Sequence, residues 1–136
     1  MRTRVADAFF DTNVLLNLLS ADASKADRAS ELLERGGIIS VQVLNEFAAV
    51  ATRKLHVTIA EIRNILATVR QLCDLAALDL ATHDRALDIA EEHHLSIFDA
   101  LLVASALEAG CTTLWSDNLQ HGHRIEHLTI RNPFIG

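Results

Sequence analysis

Short apolar segments alternate with helical patterns along this chain, and that alternation restricts its fold more than any other feature. The segments are residues 5–10, 37–41, 75–80, 113–116 and 127–131. Strands separated by helices pair in parallel through crossovers. The pattern therefore predicts an α/β fold, a three-layer α/β/α domain whose mainly parallel central sheet has four to five strands. The only proline, Pro133, lies near the end, and no linker or repeat divides the sequence. Its 136 residues, half of them apolar, suffice for a single domain over 1–136 with a core of ordinary size.

The helices carry their own start and stop signals. Ser24 with Asp27 opens an amphipathic pattern that Gly36-Gly37 ends. A second helix is expected over 42–55. Thr58-Ile59-Ala60-Glu61 reads as a capping box opening a third, with Ile62, Leu66 and Val69 on its apolar face. Thr82 is expected to begin a fourth. The fifth, over 97–109, is apolar nearly all round and should be the most buried.

Several function classes drop out on composition. A formal charge of −6 argues against binding nucleic acid through bulk positive potential, though not against a local site neutralised by metal ions. No apolar run is long enough to cross a bilayer, and Asp7 and Asp11 interrupt the one behind Arg2 and Arg4, so a cytoplasmic protein is expected. Cys73 and Cys111 lack metal-site spacing and read as buried free thiols.

Four acids stand where strands end or helices begin: Asp11, Glu46, Asp99 and Asp117. Ligands of open α/β sheets bind at the carboxyl ends of the strands, and all four can reach one such edge. Each also has a plainer reading. Asp11 suits an N-cap, Glu46 falls on the polar stripe Gln42-Glu46-Arg53, Ser96 with Asp99 forms a capping box, and Asp117-Asn118 suits a turn. Together they favour a site, because clustered carboxylates repel unless a cation joins them. Hard divalent ions prefer such oxygens, and the arrangement suits metal-assisted phosphodiester cleavage. No serine elbow and no Cys–His pair points to covalent catalysis. His121-Gly122-His123 reads as a surface loop, with His121 near enough to touch a ligand, and Trp115 as core packing.

These residues carry a resemblance. Phe9-Phe10-Asp11-Thr12-Asn13-Val14-Leu15-Leu16 is similar to the opening motif of PIN domains. The segment from Ser40 to Phe47, with Glu46, resembles their second motif, and Ser96-Ile97-Phe98-Asp99-Ala100-Leu101-Leu102-Val103-Ala104 their third. Leu114-Trp115-Ser116-Asp117-Asn118-Leu119-Gln120 resembles the fourth, and 128–134 the closing strand.

The resemblance covers essentially the whole chain and is closest to the short VapC-type toxins of bacterial toxin–antitoxin pairs. It implies an endoribonuclease that uses Mg²⁺, with Mn²⁺ as substitute, forms a homodimer and is neutralised by an antitoxin protein. It also implies Asp11 and Asp99 as principal metal ligands, Glu46 and Asp117 completing the acidic pocket, and Asn13 and Ser116 orienting ligands or water. Relatives of this type often carry two acids in a row where this chain has Asp117-Asn118, so Asn118 occupies a position that is often a ligand. A non-catalytic association module with an impaired metal site is the alternative that this departure motivates.

Overall fold

The computed structural model describes residues 7–135. Strand β1 (Ala8–Phe10) leads into helix α1 (Thr12–Leu16), a 3₁₀ turn (Asn17–Leu19) and α2 (Ala23–Glu34). Then come β2 (Gly37–Ser40), α3 (Val41–Leu55), α4 (Ile59–Leu72), β3 (Cys73–Ala76), α5 (Leu80–His93) and α6 (Ile97–Glu108). Strands β4 (Thr113–Trp115), β5 (Arg124–Ile125) and β6 (Leu128–Arg131) complete the order.

The sheet runs β3-β2-β1-β4-β6-β5, parallel throughout except where β5 folds back on β6. The crossovers from β1 to β2 and from β2 to β3 step one way, and that from β3 to β4 returns past β1. Right-handed connections then place α1–α4 on one face and α5 and α6 on the other. Packing agrees, since α3 contacts α1 and α4 while α5 packs along α6. The order of strands reverses between β1 and β4, which makes the carboxyl ends of these two strands the expected ligand position.

Phe9, Phe10, Ile39, Leu114 and Ile130 are fully buried in the sheet, with Leu15, Leu32, Leu33 and Phe47 covering them from the helices. Helix α6 buries every residue from Leu102 to Leu107, as its all-round apolarity predicts. Gly37 is required by close approach: a Cβ there would lie 2.6 Å from the Phe10 ring and 2.8 Å from the Ala8 carbonyl oxygen. Cys73 and Cys111 are free and buried. Among the described residues no helix is long and apolar enough to cross a membrane.

Several boundaries differ from those read in the sequence. The sheet has six strands rather than four or five, because the two-residue β5 pairs only within its hairpin. Residues 5 and 6 of the first predicted strand lie outside the described residues. The third strand occupies Cys73–Ala76, earlier than predicted, since α4 runs into it without a loop and Cys73 pairs with Gly37. Asp74 and Leu75 are exposed there, as a sheet edge permits. Helix α2 is capped by Asp22 rather than Ser24, its carboxylate accepting the Ser24 N–H. Helix α5 begins at Leu80, with Asp79 taking the Thr82 N–H. The Thr58–Glu61 capping box and the Ser96 cap form as read.

Candidate active site

Asp11 lies one residue past β1, and its N–H donates to the Trp115 carbonyl at 3.0 Å, extending the β1–β4 ladder to the sheet edge. Its side chain is the N-cap of α1. Oδ1 accepts the Thr12 N–H at 2.6 Å, and Oδ2 accepts the Ser116 hydroxyl at 2.7 Å. Only 8 % of the residue is exposed. Burial raises its pKa from 3.8 to about 6; the Ser116 and Thr12 hydrogen bonds oppose the rise, and the charges of Asp99 and Asp117 add to it. Asp11 is thus a carboxylate in a place that disfavours its charge.

Glu46, in the second turn of α3, reaches the same edge. Its Oε2 accepts the Thr12 hydroxyl at 2.9 Å and its Oε1 accepts Gln42 Nε2 at 3.1 Å. The single residue Thr12 therefore joins both acids, through its amide to Asp11 and through its hydroxyl to Glu46. Ser40 caps α3 by accepting the Val43 N–H and fixes where that helix starts.

Asp99 stands in the first turn of α6, its N–H bonded to Ser96 Oγ at 3.2 Å. Asn118 Nδ2 donates to Asp99 Oδ1 at 3.4 Å. Ser116 Oγ accepts the N–H groups of Asn118 and Leu119, both at 3.2 Å, so one hydroxyl shapes the turn and contacts Asp11.

Asp11, Glu46 and Asp99 line a cleft of about 30 Å³ with Gln42, Phe98 and Leu101. That volume suits one water molecule or one ion. Asp117 does not line it. The turn after Ser116 leaves Asp117 exposed and directs Asn118 to Asp99 instead, so Asp117 acts on Asp11 only through its charge. Asn13 meets its neighbours through its backbone carbonyl, which accepts Asn17 Nδ2 at 2.7 Å. Among the described residues its side chain makes no hydrogen bond to the acids. Thr12 and Gln42 are the members that motif reading passed over; the position of Gln42, four residues before Glu46 on one helix face, was the available signal.

The charged groups lining the cleft, Asp11, Glu46 and Asp99, all offer oxygens, which a hard divalent cation prefers. Each Asp11 and Glu46 oxygen spends one lone pair on a protein hydrogen bond and keeps another. Among the described residues no three His, Cys, Asp or Glu side chains close into a ready-made cage. Mg²⁺ does not need one, because it retains several waters and is commonly held by one or two carboxylates. The carboxylates present are therefore of the kind that suits such an ion.

A family model described as PIN domain matches residues 8–122. No curated protein matches the chain significantly. Several solved structures share its fold. A toxin–antitoxin complex from Klebsiella pneumoniae superposes with a TM-score of 0.71 at 22% identity, over 93% of this chain and 98% of that one. VapC20 of Mycobacterium tuberculosis, a sarcin-ricin loop cleaving toxin, gives 0.66 at 17% identity, over 80% and 88%. VapBC2 of Rickettsia felis, bound to a DNA fragment from its promoter, gives 0.63 at 20% identity, over 92% and 97%.

Proposed function

Because the chain belongs to the PIN domain family, we propose that it is a Mg²⁺-dependent endoribonuclease and the toxin of a type II toxin–antitoxin pair. Mn²⁺ would substitute for Mg²⁺, and the protein would act in the cytoplasm as a homodimer silenced by its antitoxin. The observation that carries the reading is the cleft of Asp11, Glu46 and Asp99 at the β1–β4 switch point, with Asp11 held at a pKa of about 6. The toxins among its fold neighbours, one of them described as sarcin-ricin loop cleaving, support the choice of role.

Asp11 and Asp99 would hold the ion, with Glu46 and Asp117 adding negative charge around it. A bound divalent cation lowers the pKa of its water and offsets charge developing on the scissile phosphate. The chain's own residues do the positioning. Ser116 and Thr12 fix both oxygens of Asp11, and Thr12 with Gln42 fixes Glu46. Asn118 orients Asp99. Glu46 would accept a proton from water entering the cleft, which Phe98 also lines. Asn13 is assigned a role in orienting substrate or water.

The donor amide of Asn118 on Asp99 favours one second reading, an association module whose metal site is impaired. Calorimetric titration of Mn²⁺ into the parent, Asp11→Asn and Asp99→Asn separates the two. Binding in the parent that both substitutions abolish is expected, followed by RNA cleavage that Asp99→Asn reduces about 100-fold or more. A folded parent that binds no Mn²⁺, or an Asp99→Asn variant that cleaves normally, would sink the nuclease reading.

A further inference from the structure

A second cavity, of about 500 Å³, opens between the first turns of α2 and the tail after β6. Asp22, Lys25, Arg28, Pro133, Phe134 and Ile135 line it. Because β1, β4 and β6 are parallel, the tail leaves the sheet at the edge where Asp11 and Ser116 sit. Arg28 connects the two places: its guanidinium carbon lies 5.7 Å from the ring centroid of Trp115, the residue before Ser116.

The cavity is built rather than incidental. Arg28 Nε donates to the Pro133 carbonyl at 3.0 Å, tying the tail to α2. Asn132 Oδ1 accepts the Phe134 N–H at 2.9 Å, and the Asn132 N–H donates to His121 Nδ1 at 2.9 Å. These bonds hold Phe134 half-exposed, with the Lys25 ammonium 5.9 Å from its ring centroid. Two carboxylates stand near, Asp22 in the lining and Glu31 paired with Arg28. Asp22 accepts from the amide and hydroxyl of Ser24, and Glu31 accepts from Arg28 and Arg35. Among the described residues Lys25 makes no salt bridge, and the one carboxylate its charge is seen to act on is Asp22. A cation beside an aromatic face, in a cavity of this size, matches the way single-stranded nucleic acid is held, by phosphate contacts and base stacking.

We propose that this cavity is a nucleotide subsite. It takes one nucleotide flanking the scissile phosphate of a single-stranded RNA, with Lys25 and Arg28 on a phosphate and Phe134 against the base. The assignment rests on the ribonuclease reading and extends it by placing where the strand continues beyond the acidic cleft.

The test is fluorescence anisotropy of a 5′-phosphorylated, labelled ten-nucleotide single-stranded RNA in the Asp99→Asn background, as a function of salt. Lys25→Ala is expected to lower the slope of log affinity against log salt by about 0.7, the share of one single-strand phosphate contact. Phe134→Ala should weaken binding about fivefold or more, and Phe134→Tyr should restore it. RNA bound with unchanged affinity and slope in folded Lys25→Ala and Phe134→Ala variants overturns the subsite and leaves the nuclease reading standing. No RNA binding at all removes both. Displacement of a labelled poly-glutamate peptide from Lys25 and Phe134, without RNA binding, would make the cavity a protein-docking surface and overturn the proposal.

Discussion

The Ser116 hydroxyl donates to Asp11 Oδ2 at 2.7 Å, a contact between residues 105 positions apart in the chain. It brings the ends of β1 and β4 together as one unit. The hydroxyl also receives two amides of the turn behind it, so the orientation of Asp11 and the path of residues 117–119 depend on the same atom.

Asp11 destabilises the metal-free protein when charged. Its folded pKa is about 6 against 3.8 unfolded, so the folded state binds the proton more tightly. The stabilising share is fully present below pH 3.8, falls as pH rises through 6, and is then gone. The difference amounts to about 3 kcal/mol. Asp11→Asn should therefore raise Tm by several degrees at pH 7.5 in chelator and lose that advantage near pH 3.5. Thermal unfolding at the two pH values decides it; an unchanged Tm at pH 7.5 would mean that burial does not strain the carboxylate.

Ser116→Ala should cost about 1–3 kcal/mol in urea unfolding at pH 7.5, because it strips a donor from Asp11 and the acceptor from two amides. It should also push the Asp11 pKa further up, since the hydroxyl lowers it. In an Asp11→Asn background the penalty should shrink, a coupling that a double-mutant cycle measures. Equal costs in both backgrounds would assign the serine to the turn alone.

Replacing the amide that contacts Asp99 by an acid tests the lapsed-site alternative. Asn118→Asp puts a second carboxylate where a donor lies 3.4 Å from Asp99 Oδ1. Lower stability in chelator is expected, with a larger Tm gain on adding Mn²⁺ than the parent shows. If Mn²⁺ stabilises the variant but not the parent, the parent's site is the impaired one.

Gly37→Ala probes how the core supports the site. The added methyl would meet the Phe10 ring and the Ala8 carbonyl oxygen well inside contact distance. Overpacking of this kind costs about 1–3 kcal/mol. Because Phe10 directly precedes Asp11, metal affinity should fall along with the midpoint of denaturation. A variant with unchanged midpoint and affinity would show that β1 and β2 can separate without disturbing the cleft.

The positions of Asp11 and Asp99 at one sheet edge were legible in the sequence because strand ends and helix starts leave local marks. Glu46 was harder: its place in the cleft depends on α3 packing against α1, expressed in the Thr12–Glu46 bond, which no local pattern encodes. The choice between Asp117 and Asn118 turned on the Ser116-centred turn, whose hydrogen bonds set which side chain faces Asp99. The fold class followed from alternation alone. Strand β5 did not, since two residues pairing in a hairpin carry too little periodicity to stand out. The displaced β3 reflects an edge, where exposed Asp74 and Leu75 depart from the apolar run expected of a buried strand.

The switch point has a temporal consequence. A nascent polypeptide acquires β2 and β3 as partners for one side of β1 early in its synthesis, while β4, the neighbour on the other side, emerges among the last segments. Until then Asp11 lacks Ser116, and the turn that faces Asp99 does not exist. On the nuclease reading proposed above, the acidic cleft is therefore completed only by segments made late in synthesis.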